Sequence, residues 1–199
     1  SLGHKFNDPT VIKDATIYSE GLMQGKCTRC DKVTTEVIAC STADDGTGLA
    51  FETSKGVFKE GTTISVGKIK NKSGYKGVLA LVSDEFTLYN ISASLNGKKV
   101  QPDGKVKVTF PIPENYGKDV AVYSISDERE SSLENDIVVS EDGKTVTAEL
   151  LIFGDVAVCD LSPESDDAQI GAQELLGGWV IWVVVGVLAF AGAVITVIL

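Results

Sequence analysis

Two cysteines separated by two residues give this sequence its clearest chemical signal. Cys27 and Cys30 frame the motif Cys-Thr-Arg-Cys, and a turn of this length can direct two thiolates at one metal ion. Zinc takes four donors, and His4 and Cys40 are the residues that could complete the set. A structural zinc site that draws its ligands from His4, Cys27, Cys30 and Cys40 is therefore one of the two leading interpretations, and a disulfide is the other.

Other states of the four cysteines compete with this zinc site. A disulfide is the main alternative, because an exported protein meets oxidants, and free thiols are the third. A redox role of the thioredoxin type is disfavoured, since no βαβ pattern surrounds the motif. Cys159 lies in an apolar run and is expected to be a buried free thiol that acts as a small apolar side chain. Its pairing with Cys40 stays open, because a sequence does not give disulfide connectivity.

The remaining chemistry-bearing residues form no catalytic pattern. His4 is the single histidine of the chain, so a Ser-His-Asp or Cys-His site would have to lie within a small repeat. The sequence has no glycine-rich phosphate loop and no His-Glu-x-x-His motif. Its formal net charge of -10 repels phosphate backbones. We therefore expect a protein that is not an enzyme and that does not bind nucleic acid.

The pattern of apolar residues predicts β-strands over most of the chain. Apolar and polar residues alternate from Val106 to Phe110, which is the period of a half-buried strand. Asn96-Gly97 between apolar runs is a strong signal for a two-residue hairpin, and further turns are expected at Pro102–Gly104 and Glu141–Gly143. Turns that recur about every 8–12 residues are typical of an antiparallel sandwich. The predicted fold is mainly β, with an immunoglobulin-like antiparallel β-sandwich at its centre.

The end of the chain has the composition of a membrane-spanning helix. The 21 residues from Trp179 to Leu199 include thirteen Leu, Ile, Val or Phe and no charge. A helix of that length spans ~31 Å, close to the thickness of bilayer hydrocarbon, and its apolar residues supply roughly -6 kcal/mol on the insertion scale. No Lys or Arg follows Lys144, so the positive-inside rule favours a single pass with the soluble part outside the cell. The predicted partner of this segment is the lipid bilayer.

Composition divides the chain into four parts. They are a short Cys-containing β repeat at residues 1–42, the sandwich at 43–160, an acidic linker at 161–176 and the membrane helix at 177–199. Asp44–Gly48 is interpreted as the hinge between repeat and sandwich. The chain opens without Met and stops without a basic tail, so we expect a piece from near the C-terminus of a longer protein.

The stretch from Tyr89 to Ile125, "YNISASLNGKKVQPDGKVKVTFPIPENYGKDVAVYSI", resembles a β module found near the C-terminus of large surface proteins of Gram-positive bacteria. The resemblance covers roughly residues 50–160 and is most specific over Val100–Pro113. Residues 1–42 are similar to short Cys-x-x-Cys repeats of the same proteins. Two positions depart from that repeat, because Ile17 stands in place of a cysteine and Asp31 in place of a glycine.

The resemblance implies a structural role. In such proteins the β module stands just before the wall or membrane anchor, so we expect a non-catalytic, membrane-proximal stalk that displays upstream domains. The alternative is an adhesin-like module that recognises a glycan or a protein of the cell wall or of a host surface. An exposed cluster of aromatic side chains would favour that alternative, and its candidates are Tyr75, Phe86, Tyr89, Tyr116 and Tyr123.

Overall fold

Strands arranged in three antiparallel sheets account for most of the fold. The structure is a computed structural model, and it describes residues 3–44 and 46–162. Its strands, in chain order, are β1 (Thr10–Lys13), β2 (Gly21–Lys26), β3 (Val33–Ile38), β4 (Cys40–Asp44), β5 (Leu49–Thr53), β6 (Thr63–Ile69), β7 (Phe86–Leu95), β8 (Lys98–Val100), β9 (Val106–Pro111), β10 (Val120–Ile125), β11 (Ser131–Leu133), β12 (Val138–Val139), β13 (Thr145–Leu150) and β14 (Asp155–Asp160). One short helix, α1 (Ser73–Leu79), stands between β6 and β7. The predicted mainly β, antiparallel character is confirmed.

A five-stranded sheet has the order β12-β13-β9-β5-β4. Its side chains alternate as the sequence predicts: Val106, Val108 and Phe110 of β9 are completely buried, whereas the lysine between the first two is exposed. The same alternation in β13 ends at Leu150, and Ile152 is exposed because the strand has already ended there. One face of this sheet is therefore apolar and must be covered by another layer.

The covering layer is a six-stranded sheet with the order β11-β10-β14-β7-β6, in which β8 pairs with β7. The two sheets share one core, in which the rings of Tyr89 and Phe110 lie 5.7 Å apart. In β14, Val156 and Val158 belong to that core. Ala157 and Cys159 belong instead to a second cluster that includes residues of α1. Strand β14 is consequently buried on both faces, which is typical of a central strand.

The helix α1 is the element that the sequence did not predict. It is seven residues long, contains Gly74 and Gly77 and has no side chain capping its N-terminus, so its local helix propensity is weak. Tyr75 and Leu79 are buried in the second cluster. Tertiary burial, rather than the local sequence, therefore holds this turn of helix in place.

The hairpin predicted at Asn96-Gly97 joins β7 to β8. Both turn residues have positive φ, 53° for Asn96 and 75° for Gly97, as a two-residue turn of type I′ requires. The turn predicted at Glu141–Gly143 joins β12 to β13, where the side chain of Asp142 accepts the N–H of Lys144. Local turn chemistry therefore fixes these two connections.

The five-stranded and six-stranded sheets, which we call the paired sheets, have two ends. The chain enters them at one end and leaves at the other. Cys40 begins β4 at the end where Leu150 also lies, since β4, β5, β9 and β13 pair in register. The short loop after Leu150 brings Asp155 to this same end, from which β14 runs away to Asp160. We call the end with Cys40 the head end and the end with Asp160 the tail end.

Contacts at the tail end agree with that direction. The loop that follows β9 carries Tyr116, whose hydroxyl lies 2.9 Å from the Thr87 hydroxyl. Thr87 in turn pairs with Val158, near the C-terminal end of β14. The N–H of Leu161 bonds to the carbonyl oxygen of Asp119, just before β10. The last strand therefore leaves the paired sheets far from Cys40.

Strands β1, β2 and β3 form a separate antiparallel sheet, which we call the head sheet. It is joined to the head end by Ile17, which is 3% exposed and belongs to the shared core. The N–H of Ser41 also donates to the carbonyl oxygen of Thr16. The head sheet is thus packed on the paired sheets through specific contacts.

The boundary predicted between residues 42 and 43 falls inside β4, which already pairs with β5 from Cys40 onward. The hinge predicted at Asp44–Gly48 is wrong, because Asp44, at the end of β4, pairs with Leu49, at the start of β5, and residues 46–48 lie in the turn between them. Within that turn, the Asp44 carboxylate accepts the N–H of Thr47 at 2.8 Å. The change from head sheet to paired sheets lies instead between Ile38 and Cys40.

No helix within residues 3–44 and 46–162 has the length and apolarity needed to cross a membrane. The predicted membrane helix at 177–199, and residues 163–176 of the predicted linker, lie outside the described residues.

Candidate metal centre

Three of the four predicted ligands come together at the edge of the head sheet. The candidate donor atoms of His4, Cys27 and Cys30 all lie within 4.8 Å of one another. The His4 Nδ1 atom is 3.4 Å from the Cys30 Sγ atom. Bond lengths of about 2.3 Å to sulfur and about 2.0 Å to nitrogen place two ligands of a tetrahedral ion roughly 3.5 Å apart. The side chains are therefore near the spacing of a shared ion.

The two cysteines are held by the loop that closes the β2–β3 hairpin. Lys26 and Val33 are the last residues of the paired strands. Beyond them the N–H of Cys27 donates to the carbonyl oxygen of Lys32 at 2.8 Å. That bond closes a short loop in which the sulfur atoms of Cys27 and Cys30 lie within 4.8 Å of each other. Strand pairing thus positions both thiols.

The N-terminal segment brings His4 to this loop by pairing with the end of β2 on the side where β1 also pairs. Phe6 forms a β-bridge with Cys27, and the N–H of Thr28 donates to the carbonyl oxygen of Lys5 at 2.9 Å. The guanidinium of Arg29 also donates to the carbonyl oxygen of Gly3 at 2.5 Å. Backbone and side-chain bonds on both sides of His4 therefore fix its position.

Asn7 and Arg29 are positioning residues that the sequence analysis did not single out. The Asn7 side chain accepts the N–H of Lys26 at 2.5 Å, and the N–H of Asn7 donates to the carbonyl oxygen of the same lysine at 2.9 Å. Asn7 is 19 residues away from Lys26 in sequence, so no local pattern could reveal this pairing.

The surroundings of Cys27 favour its thiolate. The backbone N–H of Arg29 is the largest influence that lowers the pKa of Cys27, to about 6, and burial opposes it. Hydrogen bonds from His4, Cys30 and the backbone of Lys5 lower the pKa further. The Cys27 residue is 5% exposed, whereas His4 and Cys30 are exposed. The group thus has a shielded inner thiol and an outer face open to solvent.

Cys40 does not belong to this group of donors, so the predicted four-residue set is corrected to three within the described residues. The reason is the length of the hairpin. Cys27 and Cys30 lie at the loop of the β2–β3 hairpin, whereas Cys40 follows the far end of β3, where Ile38 pairs with Gly21. Six strand residues at ~3.4 Å each put about 20 Å between those ends.

Cys40 and Cys159 are instead buried in the paired sheets, both completely. All four cysteines of the chain are free thiols here. Cys159 fills an apolar position beside α1, as the sequence analysis expects of a small apolar side chain. Burial raises the pKa of Cys159 to about 12 and also raises the pKa of Cys40.

The arrangement of His4, Cys27 and Cys30 can perform two kinds of chemistry. Two thiolates and one imidazole are ligands that zinc prefers, and the Cys-x-x-Cys spacing also permits a disulfide. A disulfide would use the two sulfur atoms alone. The imidazole beside them is a third donor that a metal ion would use as a ligand.

A second polar cluster lies on the six-stranded sheet. The Tyr75 hydroxyl donates to one oxygen of the Asp155 carboxylate at 2.5 Å, and the Asn90 amide donates to the other at 2.6 Å. The Arg129 guanidinium lies 4.3 Å from the centre of the Tyr75 ring. These bonds tie α1 to β7 and β14. Each carboxylate oxygen of Asp155 therefore already accepts a hydrogen bond.

The aromatic residues named for an adhesin surface are mostly packed inside the fold. Tyr75, Phe86 and Tyr89 are buried, and Tyr116 and Tyr123 are half-buried against the two apolar clusters. They do not form an exposed aromatic platform. Comparison with family models, with curated proteins and with solved structures gives no match to this chain.

Proposed function

We propose that this chain is the non-catalytic, membrane-proximal stalk of a bacterial cell-surface protein. In this role it holds upstream domains away from the membrane. One observation carries the proposal: the chain enters the paired sheets at the head end, through Cys40, and leaves at the tail end, through Asp160. A module that is connected in series at its opposite ends adds its full length to a spacer.

Entry and exit at opposite ends also suit a module that is kept under tension. Outward pulling at Cys40 and Asp160 acts along β4 and β14, so the hydrogen bonds of each strand are loaded together. Strand β4 makes its bonds to β5, and β14 is held on both sides by β10 and β7. Separation of such strands requires several bonds to break at once, rather than one after another.

The fold within this proposal is an immunoglobulin-like β-sandwich. The shared core supports it, since large side chains from both sheets, such as Phe51, Tyr89 and Phe110, are buried there. Each such side chain contributes about 1.5–3 kcal/mol when it leaves water. A core of this kind is a strong source of resistance to unfolding for a small extracellular module.

The anchor of the stalk is the uncharged segment 177–199. Its support is the composition of the sequence: thirteen large apolar residues, two tryptophans at its start and an acidic flank without Lys or Arg. Tryptophan favours the headgroup level of a bilayer. The soluble part is proposed to lie outside the cell, in a single-pass arrangement.

The packing of the five aromatic candidates favours the stalk over the adhesin-like alternative. A glycan site commonly presents ring faces to solvent, and the rings of Tyr75, Phe86 and Tyr89 are covered by other side chains. The Asp155 cluster is likewise consistent with a structural role, because its carboxylate oxygens are both used to fix Tyr75 and Asn90.

Surface display on a Gram-positive cell tests the proposal. An export signal and a short epitope are placed before Gly3, and the full chain is compared with a double variant, Val184→Arg with Leu188→Arg. Each arginine costs about 2.5–3.5 kcal/mol at a helix centre, so two offset the roughly -6 kcal/mol of the apolar residues. The matched control exchanges the same positions for apolar residues, Val184→Leu with Leu188→Val.

The stalk account predicts that the chain and the control stay on the cell with the epitope open to added protease. The arginine variant is expected in the medium. In-frame removal of residues 40–162 is expected to reduce antibody access to the epitope without releasing the protein. Recovery of the unaltered chain from the medium, or an epitope protected on intact cells, would contradict the proposal.

A further inference from the structure

We propose that His4, Cys27 and Cys30 bind one Zn²⁺ ion through two thiolates and one imidazole, with the fourth position open to solvent. The inference is independent of the stalk proposal. It rests on the convergence of three donor atoms within 4.8 Å, which come from two segments more than 20 residues apart in sequence.

Cys27 has the position of an inner ligand. It is 5% exposed and stands at the start of the hairpin loop, where its N–H donates to the carbonyl oxygen of Lys32 at 2.8 Å. A metal ion would bind all three converging donor atoms, whereas a disulfide would join the two sulfur atoms alone. The His4 ring, 3.4 Å from the Cys30 sulfur, completes a set of three donors.

The donor set selects zinc among the common metal ions. Calcium and magnesium prefer oxygen ligands, whereas thiolate and imidazole together suit zinc. Two thiolates neutralise the charge of one Zn²⁺ ion. The neutral imidazole then adds a donor without adding charge.

The fourth position is open because the structure supplies no fourth protein donor there among the described residues. Cys40 is held in β4 beyond the other end of the hairpin. His4 and Cys30 are exposed, so water or a small exogenous ligand can reach an ion bound between them. Three protein ligands and one exchangeable position is a well-known zinc arrangement.

A metal ion at this site would tie the N-terminal segment to the hairpin. His4 precedes the short pairing at Phe6, and both cysteines belong to the hairpin loop. Removal of the ion leaves the pairing of residues 5–7 with a few hydrogen bonds, at the exposed edge of a small sheet. The segment is therefore expected to exchange its amide protons faster without metal.

Cobalt titration of the full chain tests the inference. The reduced protein, in nonionic detergent, is titrated with Co²⁺, whose thiolate charge-transfer absorption reports sulfur ligation, and Zn²⁺ is then added to displace it. The variants are His4→Gln, Cys27→Ser and Cys30→Ser. Cys40→Ala is the matched control, because it removes a thiol that lies outside the group. Circular dichroism checks that each variant retains its β structure.

The unaltered chain and the Cys40→Ala control are expected to bind one equivalent of Co²⁺ with thiolate absorption. Loss of an outer-shell partner commonly weakens metal binding by about 10–100-fold, so loss of a direct ligand is expected to weaken it at least ~100-fold. Added imidazole is expected to change the cobalt spectrum, because it can enter the fourth position.

Three results would overturn the zinc site with its three protein ligands. One is a reduced chain that gives no thiolate–cobalt absorption. Another is a Cys30→Ser variant that binds as tightly as the unaltered chain. The third is a Cys40→Ala variant as weak as Cys30→Ser, which would make Cys40 the fourth ligand. A spectrum that imidazole leaves unchanged would overturn the open fourth position.

Discussion

At the scale of single residues, the cysteines occupy different chemical environments although they share one side chain. Cys30 is exposed at a loop, whereas Cys40 and Cys159 are fully buried. The reactive form of a cysteine is the thiolate, so both burial and a raised pKa suppress its chemistry. This contrast separates the exposed thiol at the candidate metal centre from the two thiols that serve packing.

Alkylation of the metal-free, reduced chain should separate these environments. At pH 8 a thiol with a pKa of about 12 is ionised in roughly one molecule in 10,000. We expect iodoacetamide to label Cys30 quickly while Cys159 and Cys40 stay unlabelled until denaturant is added, as read by peptide mass spectrometry. Equal labelling rates for Cys30 and Cys159 in the folded chain would contradict the burial of Cys159.

Gln101 is exposed, but its side chain has a structural role. Its amide donates to the carbonyl oxygen of Phe153 at 2.9 Å and accepts the N–H of the same residue at 2.7 Å. Phe153 is 2% exposed and contacts the rings of Phe51 and Phe58. One side chain thus satisfies both backbone groups of the residue that closes the core at the head end.

Replacement of Gln101 by Met keeps the length of the side chain and removes both hydrogen bonds. We expect the free energy of unfolding to fall by about 1–2 kcal/mol, since the freed groups of Phe153 lose their partners but water can reach them from the exposed side. Urea unfolding followed by circular dichroism measures the change. Gln24→Met in β2 is the control, and an equal loss in both variants would refute the role of Gln101.

At the scale of elements, the turn at Asn96-Gly97 shows how local chemistry sets register. Gly97 has a φ of 75° and an added Cβ atom would meet nothing within 4 Å. The cost of a side chain there is therefore backbone strain alone. Gly67, in β6, also has open space around it but has no positive φ.

These two glycines form a matched pair for a stability measurement. Gly97→Ala is expected to lower the free energy of unfolding by about 1 kcal/mol, because a left-handed conformation is costly for alanine. Gly67→Ala is expected to change it by less than ~0.5 kcal/mol. The urea midpoints of the two variants provide the comparison, and a Gly97→Ala protein as stable as the unaltered chain would argue against the type I′ turn.

The elements also show which parts of the fold a sequence can predict. The alternation from Val106 to Phe110 and the Asn96-Gly97 turn are properties of a few neighbouring residues, and both were predicted correctly. The helix α1 was missed, because its two glycines and absent cap give no local signal. Its formation depends on burial of Tyr75 and Leu79 by residues distant in sequence.

The candidate site was predicted in part for the same reason. The Cys27–Cys30 spacing is local and indicates a metal or disulfide motif by itself. The place of His4 depends on pairing between the N-terminal segment and β2, across 26 residues from Cys30. Cys40 was assigned to the site because a sequence does not show that the full length of β3 separates it from the loop.

At the scale of the whole molecule, the account depends on the direction in which the chain passes through the paired sheets. The head sheet is packed at the head end through Ile17, and the chain leaves at the tail end after Asp160. In the proposed stalk, forces from upstream domains would therefore cross the paired sheets from end to end and act along β4 and β14.

Single-molecule pulling in two geometries tests this claim most directly. In both, one handle is attached after Ser162; the second is attached before Gly3 or is inserted at Gly46, in the turn between β4 and β5 at the tail end. At equal loading rate, we predict that the paired sheets unfold at a clearly higher force when pulled from opposite ends, because the strands shear rather than peel. An equal or lower force in that geometry would contradict the stalk account.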